Sequence, residues 1–178
     1  IPIDPDFLSY CAFPAGSWWV YKEQSSGQSD SIFVSHYIIE AVENKNSALN
    51  YYQLNYENVS QKDTFNFSCK PLKYPKGLLF VMTEYYSGGT VTLDAHRFFY
   101  PPSVLDTPTI NNVLYLKDIV NTLTINNVIY ADVMIMENKF SQYNNMIRSE
   151  YYCKNIGVIK REFFNGETWE LVKYYIKK

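Results

Sequence analysis

The chain has 178 residues, enough for one domain that buries a hydrophobic core without disulfide staples. Aromatic residues make up 17% of it, with 17 Tyr and 11 Phe, and this composition favours strands over helices. The net charge of −2 and the scattered Lys and Arg residues exclude the basic surface that a nucleic-acid-binding protein needs. No apolar stretch approaches the roughly 18 residues of a transmembrane segment. The sequence starts at Ile1 rather than Met, so we expect a processed chain whose signal peptide has been removed.

The first third of the chain is predicted to be a series of strands. Residues 1–14 contain three prolines and no clear periodicity, which predicts an extended lead-in. Strands are expected where apolar and polar residues alternate between polar turns. These stretches are 17–23, 31–43, 49–58 and 64–69.

A hairpin is predicted at 78–100, because two apolar runs flank a Gly-Gly pair. A two-residue loop sets Phe80 opposite Arg97, and it places Glu84 and Arg97 on the same, apolar face. The two charged residues lie four ladder positions apart, roughly 13 Å along the strand. They therefore cannot bond to each other.

A charge on a core face needs a partner, a water-filled cavity or a ligand. We therefore predict that a ligand-binding site inside the sheet would include Glu84 and Arg97, together with Tyr86 on the same face and Trp19 on an earlier strand. The alternative is that each charged group reaches solvent at an end of the sheet, or that a bulge shifts the register.

A short internal repeat follows, in which residues 109–115 recur as 124–130. Both copies place Asn-Asn between β-branched runs, which predicts two similar tight turns rather than a solenoid. Residues 116–123 between the copies are compatible with a helical turn, and 131–137 reads as an apolar strand. The polar stretch 142–148 is predicted to be a loop or a short helix.

A second hairpin is predicted near the C-terminus, where Asn165-Gly166 joins two runs of apolar, β-branched and aromatic residues. This pair suits a two-residue type I′ turn, whose central residues both need positive φ. That register places Arg161 opposite Glu170, whereas a three-residue loop that set Glu162 against Glu170 would create a like-charge pair.

About nine to eleven strands at short, regular spacing indicate a mainly β protein with little helix. We expect one β-rich domain over 1–178, built as an antiparallel β-sandwich, barrel or half-barrel. The lack of helices between the strands argues against a parallel α/β architecture.

No catalytic or metal-binding motif is found, and we expect no catalytic residues, no metal and no cofactor. His36 and His96 have no second ligand at metal-binding spacing. The three cysteines, Cys11, Cys69 and Cys153, form no CxxC pattern, so we interpret them as small buried hydrophobes. One disulfide with one remaining thiol is the alternative.

Adjacent aromatic residues recur along the strands. Because neighbours in a strand point to opposite faces, each group is expected to send one ring into the core and one outward. The outward rings would suit a glycan- or peptide-binding platform, and the alternative is a Tyr-rich protein without a ligand. The groups are Trp18-Trp19, Tyr51-Tyr52, Tyr85-Tyr86, Phe98-Phe99-Tyr100, Tyr151-Tyr152 and Tyr174-Tyr175.

Two stretches carry a resemblance to known proteins: the early strand at 13–21, FPAGSWWVY, and the late hairpin at 151–162 and 168–172. Together they resemble the small, largely uncharacterised secreted proteins and lipoproteins of Bacteroidetes cell envelopes. The resemblance implies export to the cell envelope and implies no catalytic residues. The chain has no lipid-attachment cysteine near Ile1, so a lipid anchor is expected only upstream of the given sequence.

We therefore expect a non-enzymatic, exported protein that is secreted or located in the periplasm or outer membrane and binds a protein partner or a surface glycan. The alternative is a lipocalin-like carrier that holds a hydrophobic small molecule in a barrel or half-barrel. An apolar interior cavity would favour the carrier, and a filled core with a flat aromatic surface would favour the binding protein. A hydrolase is a third class that no motif supports.

Overall fold

The computed structural model describes residues 5–42, 51–60, 64–71, 78–87, 90–99, 114–138 and 147–178, and it describes the strands between residues 38 and 99 by their backbone. These ranges hold one short helix and eleven strands. The elements are α1 (Pro5–Cys11), β1 (Trp18–Glu23), β2 (Ser29–Val42), β3 (Tyr51–Ser60), β4 (Thr64–Pro71), β5 (Leu78–Ser87), β6 (Thr90–Phe99), β7 (Leu114–Ile125), β8 (Val128–Asn138), β9 (Ile147–Cys153), β10 (Gly157–Phe163) and β11 (Thr168–Tyr175).

All eleven strands belong to one antiparallel sheet in the order β6-β5-β4-β3-β2-β1-β11-β10-β9-β8-β7. The first and last strands of the chain pair with each other, which leaves β6 and β7 as the two edges. Cα atoms of β6 and β7 come within 8 Å of each other, but the described residues form no ladder between them. The predicted mainly β, antiparallel fold is confirmed, as an open sheet of the sandwich or half-barrel type.

One face of the sheet, the inner face, carries the core. In β1 the alternation is simple, because Trp19 and Tyr21 are buried on the inner face while Trp18 and Lys22 lie on the opposite, outer face. The largest fully buried side chains are Leu114, Met134, Met136, Ile159, Val34, Val133 and Cys153.

The extended lead-in predicted for 1–14 is wrong over α1. Pro5 occupies the first helical position, where its missing N–H costs nothing, and Asp6 in the first turn complements the helix dipole. Tyr10 is buried, and the Asn155 N–H donates to the Ser9 carbonyl at 2.7 Å. A helix of seven residues is too short to show a period, and tertiary contacts supply its stability.

One strand register and one turn agree with the sequence. β5 and β6 pair Phe80 with Arg97, which is the predicted register. Asn126 and Asn127 have φ values of 49° and 62° and join paired strands, so they form the two-residue turn expected from the Asn-Asn pair. The first copy of the repeat, at Asn111-Asn112, lies outside the described residues.

Two expectations in the second half need correction or stay open. The stretch 116–123, predicted as compatible with a helical turn, is part of the strand β7. It pairs along its length with β8, so the ladder rather than local propensity decides its conformation. Of the stretch 142–148, Ile147 and Arg148 begin β9, and the rest lies outside the described residues.

The C-terminal hairpin has a different register from the predicted one, because Arg161 pairs with Trp169. The Phe163 N–H donates to the Glu167 carbonyl at 2.9 Å, and the Gly166 N–H donates to the Phe163 carbonyl at 3.1 Å. Three residues therefore form the loop, rather than the two that the Asn-Gly pair predicts.

Core burial explains this shift of one residue. In the observed register Ile159 and Leu171 share the inner face, where both are buried, whereas the predicted register would send them to opposite faces. Gly166 has a φ of +92° and Asn165 does not have a positive φ, so the turn is a type I turn followed by a left-handed glycine. The type I′ prediction is wrong, although the need for glycine at 166 is confirmed.

The turn between β1 and β2 is held by the carboxylate of Glu23. Its Oε2 accepts hydrogen bonds from the Ser26 N–H at 2.5 Å and from the Ser25 hydroxyl at 2.8 Å. These hydrogen bonds favour the charged carboxylate and lower the pKa of Glu23 from 4.5 to about 2. The carboxylate therefore contributes to stability only while it remains ionised.

We expect Glu23→Gln to lower the melting temperature at pH 7 and to have a shrinking effect between about pH 4.5 and pH 2. The folded-state pKa lies below the unfolded-state pKa, so the contribution is fully present above the unfolded value and is lost as the pH falls through the folded value. Thermal melts of both proteins across this range test it. Ser25→Ala, which removes one of the hydrogen bonds, should show a smaller effect of the same sign, and a constant difference down to pH 2 would contradict the assignment.

Within the described ranges, no helix is long and apolar enough to cross a membrane.

Candidate functional site

Three aromatic side chains lie side by side on the outer face, on neighbouring strands. Trp18 of β1 is directly opposite Phe33 of β2 on one side and Tyr175 of β11 on the other. Phe33 is 46% exposed and Tyr175 is 50% exposed. We call these three residues the outer aromatic row.

The rings of the outer aromatic row are ordered by each other and by a neighbouring lysine. Trp18 and Tyr175 stack with ring centroids 6.3 Å apart and an interplanar angle of 28°. The Lys173 Nζ lies 5.6 Å from the centroid of the Trp18 ring, within the range of a cation–π contact. Trp18 and Tyr175 thus form a stacked pair with the Lys173 cation over the Trp18 ring, and Phe33 lies opposite Trp18 on the neighbouring strand.

Adjacent aromatics point to opposite faces in all three described groups, but the inward ring is buried in only two of them. Trp18 lies outward and Trp19 is buried, and Tyr152 is buried while Tyr151 is only partly so. Both Tyr174 and Tyr175 are exposed, so the expected burial of the inward ring is wrong there. Tyr174 is opposite Trp19 and on its face, so the strand alternates as expected, but the inner side is not covered at this position. The other aromatic groups have side chains outside the described set.

The outer face changes character toward β9 and β10, where charged side chains pair off. The Lys160 Nζ lies 2.9 Å from Glu162 and 3.7 Å from Glu170, and Arg148 bonds to Glu162 at 3.1 Å. Arg148 is half exposed, whereas Lys160, Glu162 and Glu170 have only 13–22% of their side chains exposed. The two positive and two negative charges balance one another on this part of the outer face.

Of the four predicted site residues, Trp19 is described in full. It is 3% exposed on the inner face, its indole N–H donates to the Ile156 carbonyl at 2.6 Å, and its ring meets Phe13 edge-on with centroids 5.2 Å apart. Every part of this indole is thus used within the protein, and the residue packs the core. Any role in ligand binding would require Phe13 or the turn before β10 to move.

The other three predicted site residues lie on strands described by their backbone. Glu84 is opposite Leu93, Tyr86 is opposite Val91, and Arg97 is opposite Phe80. This register keeps Glu84, Tyr86 and Arg97 on one face, as predicted. β5 lies four strands from β1 in the sheet order, so the sheet does not set these residues beside Trp19. A ligand site formed by Glu84, Arg97 and Tyr86 stays a prediction.

The structure shows a buried polar cluster on the inner face that the sequence did not indicate. Five strands that are neighbours in the sheet each contribute one residue to a row across it. Each of these residues lies directly opposite the next one. The members of this inner row are Met136, Glu150, Arg161, Trp169 and Glu23.

Glu150 and Arg161 form the centre of the inner row. The Arg161 Nε donates to the Glu150 Oε1 at 2.6 Å, and the Tyr152 hydroxyl donates to the Glu150 Oε2 at 2.6 Å. Both oxygens of this buried carboxylate are therefore bonded. The guanidinium also lies over the Tyr21 ring, with its Cζ 5.8 Å from the ring centroid.

The electrostatics of the cluster follow from burial and from this ion pair. Burial and then the Glu150 charge raise the pKa of Tyr152 well above its usual value, so its hydroxyl stays a hydrogen-bond donor. Burial, the largest single effect, lowers the pKa of Arg161, but the Glu150 carboxylate together with Tyr21 and Tyr152 outweighs it, and the net shift is upward. The pair is accordingly ionised, with its two charges balanced.

A β-bulge positions the residues around this pair. The register between β9 and β10 shifts between Val158 and Lys160, which releases the Val158 carbonyl from the regular ladder. The Tyr21 hydroxyl donates to that carbonyl at 2.9 Å, and this bond fixes the ring beneath Arg161. The only signal in the sequence was Arg161 alternating with Ile159, and its partner Glu150 follows from the pairing of β10 with β9.

Two of the three cysteines are described, and Cys11 and Cys153 are both buried thiols. Burial raises the pKa of Cys153 to about 11, and its Sγ donates to the Ala131 carbonyl at 3.1 Å. Such a thiol is a poor nucleophile at neutral pH. Among the described side chains, no three His, Cys, Asp or Glu residues cluster in a way that could hold a metal ion.

Comparison with known proteins found no family model that matches the chain and no curated protein sequence that is similar to it. The resemblance to Bacteroidetes envelope proteins therefore stays a prediction.

Proposed function

We propose that the protein is a non-enzymatic, exported protein of the cell envelope that binds a surface glycan through the outer aromatic row. The observation that carries this proposal is the alignment of Phe33, Trp18 and Tyr175 on three neighbouring strands, with Phe33 and Tyr175 about half exposed. The sequence resemblance at both ends of the chain supports the envelope location.

The chemistry of the row suits a sugar. Aromatic rings on a wet surface offer flat apolar faces against which the C–H groups of a sugar ring can stack, while polar groups beside them bind hydroxyls. Lys173, at the margin of the row, supplies three N–H donors for such hydroxyls.

The size of the row favours a glycan over a protein partner. A fully buried aromatic side chain covers roughly 150–250 Å², so the half-exposed Phe33 and Tyr175 and the less exposed Trp18 together offer at most about 300 Å². A stable protein interface buries about 800 Å² on each side. The row is too small to serve as such an interface alone but matches a few sugar units.

We expect Phe33→Ala and Tyr175→Ala each to weaken binding of envelope oligosaccharides about 3- to 10-fold, as the loss of one aromatic contact predicts. The probes are oligosaccharides released from Bacteroidetes cell-envelope polysaccharide, and affinity is measured by calorimetry. Ile129→Ala is the matched control, because Ile129 is 71% exposed but lies on β8, away from the row.

The control should bind as tightly as the wild type. Equal losses in all three variants, or none in either row variant, would rule out the row as the binding surface.

A carrier of a hydrophobic small molecule is the second candidate, and one observation favours it. In the described part of the sheet every strand pairs with its neighbours, and the two edge strands are β6 and β7. On the inner face, the charged side chain of Arg161 remains 28% exposed. A sheet curved in this way can enclose a ligand on its inner face.

A further inference from the structure

Two lysines lie on either side of the outer aromatic row along the C-terminal strand. Tyr175 is opposite Trp18 on the outer face. Lys173 comes two residues before Tyr175 and Lys177 two residues after it, so the alternation of an extended chain places both on the face of Tyr175. The Lys173 Nζ lies 5.6 Å from the centroid of the Trp18 ring, which confirms this placement for the first lysine.

Contacts with the residues just before β1 fix the position of Lys177. Its backbone N–H donates to the Ser17 hydroxyl at 3.1 Å, which holds the end of the chain beside β1. Its side chain lies over Gly16, because a Cβ at Gly16 would lie 3.1 Å from the Lys177 Cδ and 3.7 Å from its Nζ. The Lys177 ammonium group therefore lies next to the start of β1, close to Trp18.

Neither lysine is neutralised by a carboxylate among the described side chains. The ion pairs found there do not include Lys173 or Lys177. The outer-face carboxylates of Glu162 and Glu170 are paired with Lys160 instead. Two uncompensated positive charges therefore flank the outer aromatic row, on a protein whose net charge is −2.

The spacing of the two charges restricts the ligand that can use both. Lys173 and Lys177 are four residues apart, roughly 13 Å along an extended chain, so one carboxylate cannot contact both. A ligand that pairs with both needs acidic groups that recur along its length, with flat apolar faces between them for Trp18 and Tyr175. A chain of uronic acids has both features, because each of its sugar rings carries a carboxylate.

We propose that the glycan bound by the outer aromatic row is an acidic one, whose uronic acid carboxylates pair with Lys173 and Lys177 while its rings stack on Trp18 and Tyr175. This inference rests on the proposed glycan-binding function and names the class of glycan. A neutral glycan would leave both ammonium groups without a counter-charge.

The test compares tetraglucuronate in the cellulose linkage with cellotetraose, which has the same linkage but no carboxylates. Affinities are measured by calorimetry. The wild type should bind tetraglucuronate about tenfold more tightly, because each exposed charge contact contributes about threefold. This preference should shrink between about 0.1 M and about 1 M salt, since the Debye length falls from about 10 Å to about 3 Å.

Variants of the two lysines assign the preference to the row. Lys173→Met and Lys177→Met should each narrow it to about threefold. Lys117→Met is the matched control, because it changes the net charge equally but removes a lysine that is paired with Glu137 and lies on the edge strand β7. The control should retain the tenfold preference of the wild type.

Equal affinity of the wild type for the two oligosaccharides would overturn the acidic-glycan assignment and leave glycan binding by the row in place. A preference that narrows as much in Lys117→Met as in the other two variants would do the same. Tetraglutamate, which has carboxylates but no sugar rings, should bind about tenfold more weakly than tetraglucuronate, and equal binding would overturn the assignment to a sugar.

Failure of both oligosaccharides to bind the wild type also overturns the acidic-glycan assignment. The glycan-binding function itself is decided separately, by the affinity of the wild type and of Phe33→Ala for the cell-envelope oligosaccharides.

Discussion

Arg161→Met is expected to lower the free energy of unfolding by about 3 kcal/mol, because it leaves a buried carboxylate without its counter-charge. Glu150 is buried, and its Oε1 loses the bond from the Arg161 Nε at 2.6 Å. The remaining bond from the Tyr152 hydroxyl cannot balance a full charge. Urea unfolding followed by circular dichroism measures the loss.

The double replacement Glu150→Leu with Arg161→Met is the matched control. Removing both charges leaves no buried ion, so we expect the double variant to be more stable than Arg161→Met alone. If the losses of unfolding free energy in Arg161→Met and in Glu150→Leu simply add in the double variant, the two side chains are not coupled. The buried ion pair would then have no energetic role.

Gly157→Ala is expected to cost about 3 kcal/mol, more than twice the cost of Gly166→Ala. The two glycines have nearly the same left-handed backbone, with φ values of +96° and +92°. They differ in their surroundings, because a Cβ at 157 would lie 2.9 Å from the Phe13 Cε2, whereas a Cβ at 166 would meet nothing within 4 Å. The difference between the two variants therefore isolates the clash from the backbone strain.

Thermal and urea unfolding of the two alanine variants tests this comparison. Adding Phe13→Leu to Gly157→Ala should recover part of the loss, since a smaller side chain gives the new methyl group room. Equal destabilisation at the two positions would mean that α1 and the residues after it do not press Phe13 against the start of β10.

The sequence predicts the strand orientation and register correctly where a local rule and the burial of the core favour the same arrangement. The adjacent Trp18 and Trp19 predict one inward and one outward ring in β1, as observed, and the Gly-Gly pair predicts the observed pairing of Phe80 with Arg97. In these strands the pattern of apolar residues allows one register only.

The sequence was insufficient where a tertiary contact outweighs a local rule. At the C-terminal hairpin, the Asn-Gly pair favours a two-residue loop, but joint burial of Ile159 and Leu171 selects a three-residue loop. Arg161 lies opposite Glu150 through the separate pairing of β10 with β9, and no local pattern links these two residues because that register depends on a bulge. The candidate site on the inner face could not be found before that register was known.

The outer aromatic row was only half predictable. The pairs Trp18-Trp19 and Tyr174-Tyr175 each indicate one outward ring. Nothing in the sequence shows that Phe33, Trp18 and Tyr175 are neighbours. That alignment depends on the pairing of β1 with β11, the first strand with the last. Long-range pairing of this kind is set by the whole sheet and has no local signal.

The most direct test of glycan binding by the outer aromatic row uses the three tryptophan indole N–H signals in a nitrogen-15 spectrum. Trp18 lies in the row, Trp19 is buried with its N–H bonded to the Ile156 carbonyl, and Trp169 lies on the inner face opposite Arg161. Titration with oligosaccharides from the cell-envelope polysaccharide should shift the Trp18 signal and leave those of Trp19 and Trp169 in place. A shift confined to Trp169, or no shift at Trp18 at saturating oligosaccharide, would contradict the proposed function.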